Sequence, residues 1–347
     1  MLTEIPASKW RELILFAHSF SLESPWEWVD DTQVFGVIDP ATGEKVYCSV
    51  TGRSSDFKAL CMYPGKTGWR SYLQLGDTIG VDLHVSEIMY GIHCLLITFL
   101  PPTKAEPDDH HLIRHAGISS IKGWPWVPSF RSNLPSYFPK SPNLREVDMM
   151  CAVVPQALAL LADLQGSAEF LPAEGLDDQG RLLFSVPAAD GSGWKRAWLA
   201  PDNAIDFSPP TVQLSQKEID QCRRLPLEEA MWLMEVFHIP AATINDEEEV
   251  PFFPRVVVLF DIEVQEFRGV KLLSPSGFPG LVGESLVDMM VQQGLLPNNL
   301  IVSNRNNLIL LRGFCKELGI EIHLEDSLNL IPELRKEVTK MTEPRPV

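Results

Sequence analysis

The chain has 347 residues, 45% hydrophobic and 22% charged, with a formal net charge of −17. This length exceeds one typical domain, and the apolar content excludes global disorder. The acidic balance disfavours nucleic acid and anionic membrane surfaces as partners, since both attract surplus Lys and Arg.

The first ten residues, MLTEIPASKW, show no basic segment followed by an apolar core, so no secretory signal is expected. The longest apolar stretch, Ile92 to Leu100, is too short for a membrane span and carries His93. Cys48, Cys61, Cys94, Cys151, Cys222 and Cys315 form no CxxC pair. They read as reduced, mostly buried thiols of a cytoplasmic protein.

In chain order, Trp10, Leu13, Ile14, Ala17 and Phe20 have the spacing of one helix face over 8–20, with Ser8 as N-cap. The turn Asp39-Pro40-Ala41-Thr42-Gly43-Glu44 predicts a hairpin joining Val34–Ile38 to Val46–Val50. A third strand, Phe57–Met62, and a short helix at 69–75 follow. Residues 82–91 are ambiguous between helix and strand, and 92–100 reads as a buried strand. A short helix is expected at 110–116, and 121–142 reads as an irregular segment pinned by its rings. A long helix should start at Asn143, capped through Glu146, and run to about Leu164 with a kink at Pro155. A second hairpin, 182–186 with 194–199, precedes a helix capped by Ser215 and Glu218 that continues or restarts through 231–237. The acidic run 245–249 marks a linker. Beyond it come strands 255–264 and 267–273, helix 281–293, strand 299–303, helix 305–318, strand 320–324 and helix 328–340.

The expected fold class is α+β. Residues 1–244 form an N-terminal region of helices on small antiparallel sheets, with a split into two subdomains near 103–120 left open. An acidic linker spans 245–250, and 251–347 is an α/β domain with a mixed sheet. The order of its elements looks like a reduced ribonuclease-H-like layout.

Two motif sets belong together. One is Trp26-Glu27-Trp28, Phe35-Gly36-Val37, Asp39-Pro40 with Thr42-Gly43-Glu44, and Tyr47-Cys48-Ser49-Val50 before Gly52. The other is Pro128, Phe130-Arg131-Ser132, Pro135 and Tyr137-Phe138-Pro139. With a C-terminal unit carrying Pro297, Ile301-Val302 and Leu318-Gly319-Ile320, the chain resembles uncharacterised bacterial proteins that pair two domains of unknown function. That resemblance implies a bacterial, cytoplasmic origin and transfers no activity, ligand or catalytic residue.

Three constellations are candidate sites. In active proteins of the ribonuclease-H-like layout, a carboxylate on the first strand helps hold divalent metal, which needs several oxygens close together. Asp261 and Glu263 are placed for that role, with Glu333 and Glu337 on the last helix as helpers; the end of strand 299–303 carries Ser303-Asn304 and no acid. On a helix over 110–116, His111 and His115 share a face beside His110, with Asp108, His93 or Cys94 as further ligands. The plain alternative is a helix start with acids at its positive end. The aromatics Trp26, Trp28, Trp124, Trp126, Phe130, Tyr137 and Phe138, with Arg131 and Lys140, offer a stacking surface or simply anchor loops to a core. The Gly277-Phe278-Pro279-Gly280 loop lacks the Lys or Ser/Thr of a phosphate-binding loop and reads as a tight turn.

No complete catalytic constellation assembles. The expected function is a non-catalytic binding or interaction protein, with a protein or small molecule as partner and no predicted cofactor. The alternative is a metal-dependent, nuclease-like hydrolase using Asp261 with other carboxylates, or the histidine cluster.

Overall fold

The computed structural model describes residues 5–76, 90–165, 176–188, 190–202, 211–241, 243–245, 248–325 and 328–342. The fold is α+β, with two mixed sheets in two compact units. Most of the ambiguous stretch 82–91 lies outside the described residues.

The first unit is built on a seven-stranded sheet of order β5-β4-β3-β2-β1-β6-β7. Its strands are β1 (Val34–Ile38), β2 (Lys45–Thr51), β3 (Ala59–Pro64), β4 (Cys94–Leu100), β5 (Val127–Asn133), β6 (Leu182–Pro187) and β7 (Trp194–Leu199). All pair antiparallel except β1 with β6. The two expected hairpins therefore belong to one sheet. Strand β5 lies inside the stretch expected to be irregular, and it pairs with β4 from Cys94↔Asn133 to Leu100↔Val127. Pro128 obscured that strand in the sequence; it is tolerated because β5 is an outer strand. The pairing of β4 with β5 also spans residues 103–120, so no subdomain boundary falls there.

Helix α1 (Ala7–Leu22) packs against α4 (Leu144–Gln165) in this unit's core. Trp10, Leu13, Ile14, Ala17 and Phe20 are fully buried, as the helical spacing requires. Helix α2 spans Gly65–Gly76 and α3 spans Pro107–His115. The N-cap of α1 is Pro6, not Ser8. Asn143 and Glu146 form the reciprocal cap at the start of α4. The α4 helix is long and apolar enough to cross a membrane, but its apolar stripe from Val147 to Leu164 is buried in the core.

The second unit contains residues 205–347 with 84–90 and 135–138. Its sheet has the order β12-β11-β8-β13-β14. These strands are β8 (Leu227–His238), β11 (Arg255–Asp261), β12 (Glu266–Leu273), β13 (Leu296–Val302) and β14 (Glu321–Leu324). Strand β11 runs antiparallel to both neighbours, whereas β13 runs parallel to β8 and to β14. Helix α5 (Gln216–Cys222) precedes β8; α6 (Gly280–Gln293), α7 (Arg305–Leu318) and α8 (Leu330–Thr342) follow β12, β13 and β14 in turn. Cores lie on both faces: Trp232 and Met234 with α6 and α7, Leu233 and Phe237 with α8.

Strand β8 replaces the helix expected at 231–237. Its Leu, Met, Glu and Ala favour helix, and a central strand buried on both faces shows no alternation. Its position moves the start of the C-terminal unit back to Ile205, ahead of the acidic run. Strands β9 (Thr243–Asn245) and β10 (Glu248–Phe252), which pair antiparallel, overlap the two ends of that run. With β8 present the layout has five strands rather than four, and Asp261 ends the second strand, not the first.

Candidate functional site

The first strand of the five-stranded sheet carries one acid in its buried half, Glu235, which is fully buried. Its Oε1 accepts the backbone N–H of Ser303, at the end of β13. Its Oε2 accepts from Arg335 Nη2 of α8 at 2.8 Å. The guanidinium also lies over the Phe237 ring. A charge taken fully out of water requires such a partner. The helix misreading hid this residue; the remaining signal was a lone acid within the apolar run Met231-Trp232-Leu233-Met234-Glu235-Val236-Phe237.

Asp261 is buried and serves a different purpose. Its Oδ2 accepts from Trp232 Nε1 at 3.1 Å and from Arg268 at 2.8 and 3.1 Å. Its Oδ1 accepts the N–H groups of Glu263 and Val264, closing the turn into β12. Burial drives this carboxyl upward, but the Arg268 bonds and the backbone donors outweigh it and hold it below its ordinary value. Glu263 and Glu333 are exposed. Among the described residues, no three His, Cys, Asp or Glu gather as metal ligands.

The α3 helix forms where the histidine cluster required one. Its first turn is capped by Glu106 and Asp109, and Arg131 pairs with both, at 3.3 and 3.7 Å. Arg131 is thus an ion-pair partner of a helix start. Asp108 and His111 are exposed, whereas His110 and His115 are half-buried.

The aromatic candidates divide between the units. Trp26 and Phe130 are core residues. Trp28, Trp124 and Trp126 are half-buried against that core. Trp124 stacks on His18 with centroids 3.9 Å apart, and Lys58 lies over the Trp126 ring. Tyr137 and Phe138 belong to the second unit, where Tyr137 bridges to Phe252 and Phe138 packs near Phe253. Just before them, Ser136 places its Oγ 3.0 Å from His238 Nε2. Ser136 is buried, so this pair is a packed contact and not an accessible nucleophile.

All six cysteines are buried and free. Burial pushes the Cys61 thiol up to about 11 and Cys315 up to about 12. Such thiols are not nucleophiles at neutral pH.

Residues 10–178 match the family model described as Domain of unknown function (DUF7309). Residues 218–339 match the model described as Domain of unknown function (DUF6930). No curated protein matches the sequence. The chain therefore joins a domain of the DUF7309 family to one of the DUF6930 family.

Proposed function

We propose that the chain is a non-catalytic binding protein of the bacterial cytoplasm. One observation carries this reading: each buried carboxylate on the central strands of the second unit already faces an arginine, Glu235 with Arg335 and Asp261 with Arg268. A guanidinium beside a carboxylate neutralises it and occupies the space a divalent cation would need. Both acids are used to hold the fold. The net charge of −17 directs the reading towards small-molecule or protein partners and away from nucleic acid.

Elemental analysis of protein purified without a metal-affinity tag tests this. The expected result is no stoichiometric metal. Stoichiometric Mn, Mg or Zn that disappears in Glu235→Ala or Asp261→Ala would overturn the reading that both acids only hold the fold, and would favour the metal-dependent alternative.

A further inference from the structure

The junction of β13 with α7, Ser303-Asn304-Arg305-Asn306-Asn307, has features that the carboxylate sites do not use. It lies at the carboxyl end of β13, beside β8. From β8 the chain leads to β11 on one side, and from β13 it leads to β14 on the other. The carboxyl ends of strands whose connections diverge in this way are the usual place for a ligand in an open α/β sheet.

Helix α7 is 14 residues long, and its start is only partly capped. Asn304 Oδ1 accepts the N–H of Asn307, and Asn304 O accepts that of Leu308. The N–H groups of Arg305 and Asn306 precede any intrahelical acceptor and face the positive end of the dipole. The second observation is independent of the helix end. Asn307 is 4% exposed, and its Nδ2 is buried with no hydrogen-bond partner. A buried donor left unpaired is costly and calls for an acceptor. Asn307 sits in the first turn of α7, where helical side chains lean towards the N-terminus. Arg305, exposed at the first helical position, adds a mobile positive charge. Two acids lie at this end of β13: Glu235, which is paired with Arg335, and the exposed Glu325, whose N–H bonds the Val302 carbonyl.

We infer that this junction binds a phosphate group, free or carried on a small organic molecule. The N–H groups of Arg305 and Asn306 and the Asn307 amide supply donors, and the Arg305 guanidinium supplies charge. The inference rests on the binding reading above and names a ligand class for it.

The test is thermal unfolding of the full chain with inorganic phosphate, with glycerol 1-phosphate, and with sodium chloride at matched ionic strength. Saturable stabilisation by a phosphate compound and none by chloride is expected. Tighter binding of the ester than of inorganic phosphate identifies an organic ligand; the reverse identifies the free ion. Arg305→Glu, an exposed change, should weaken binding about tenfold or more, and Asn307→Leu should abolish it. If Asn307→Leu does not fold, Arg305→Glu decides alone. No saturable response in wild type, or an equal response in Arg305→Glu, overturns the site. Neither result bears on the metal analysis, so failure here leaves the non-catalytic reading to stand or fall separately.

Discussion

Glu235 and Arg335 meet at 2.8 Å, with the carboxylate fully buried in the central strand and the guanidinium on the last helix. The pair joins α8 to the sheet at its middle, among Leu233, Phe237, Ile331, Leu334 and Val338. Breaking a buried pair leaves an uncompensated charge, at a cost of about 3–5 kcal/mol. Arg335→Ala should lower stability by that amount in urea unfolding. The double replacement Glu235→Leu with Arg335→Met should recover most of it, because it removes both desolvation penalties. A double variant as unstable as Arg335→Ala would mean that the pair contributes net attraction.

Asp261 makes stability depend on pH in a defined direction. Its folded pKa lies below the ordinary carboxylate value, with burial opposed and outweighed by Arg268 and the backbone donors. The folded state therefore binds the proton more weakly than the unfolded chain. Its contribution is complete above the unfolded value, about 3.9, and is lost as pH falls through the lower folded value. Asp261→Asn should be less stable at neutral pH and lose less stability on acidification. An unchanged acid limb in denaturant titrations would refute this.

His18 acts at a different pH. Burial against Trp124 lowers its pKa below the ordinary histidine value. The folded state resists protonation, so this contribution is present above that value and declines as pH falls towards the folded pKa. His93 is shifted the same way, by burial first, with Glu146 opposing. His18→Gln should remove part of the stability lost between neutrality and the onset of carboxylate titration. Unfolding midpoints of both proteins across that range provide the check.

Gly36 of β1 lies opposite Phe184 of β6, at the one parallel pairing in the seven-stranded sheet. A Cβ at position 36 would fall within the Phe184 ring. Gly36→Ala should destabilise by about 1–3 kcal/mol through overpacking. Phe184→Leu should make the alanine cheaper than it is in wild type, and a double-mutant cycle measures that coupling.

Elements whose local pattern agrees with their tertiary role were readable from sequence. α1 is one, because its buried face recurs at helical spacing. α7 is another, with Asn304 capping its start and Gly319 closing it in a left-handed conformation. Strand β8 was not, because its composition favours helix and its burial on two faces removes the alternation that marks a strand. With β8 misread, Glu235 was missed and Asp261 took the first-strand role. The partners of Asp261 could not be read either: Trp232 lies 29 residues away and comes close only through strand pairing. The histidine helix was foreseen, but the role of Arg131 depends on β5, which Pro128 concealed.

The second unit is not one continuous piece of the polypeptide. Phe253 donates its N–H to the Ser136 carbonyl, Phe138 donates its N–H to the Pro251 carbonyl, and the Tyr90 ring lies against Phe253. Residues 90 and 135–138 are therefore structural parts of a unit whose remaining sequence starts at Ile205. A gene fragment cut at the family boundary of residue 218 would encode a protein with a raw seam. The Phe253 N–H and the Pro251 carbonyl would lose their partners, Ser136 and Phe138. Such a fragment is expected to aggregate unless residues 135–138 are supplied as a peptide, which makes complementation by that peptide a direct measure of how far this unit is its own.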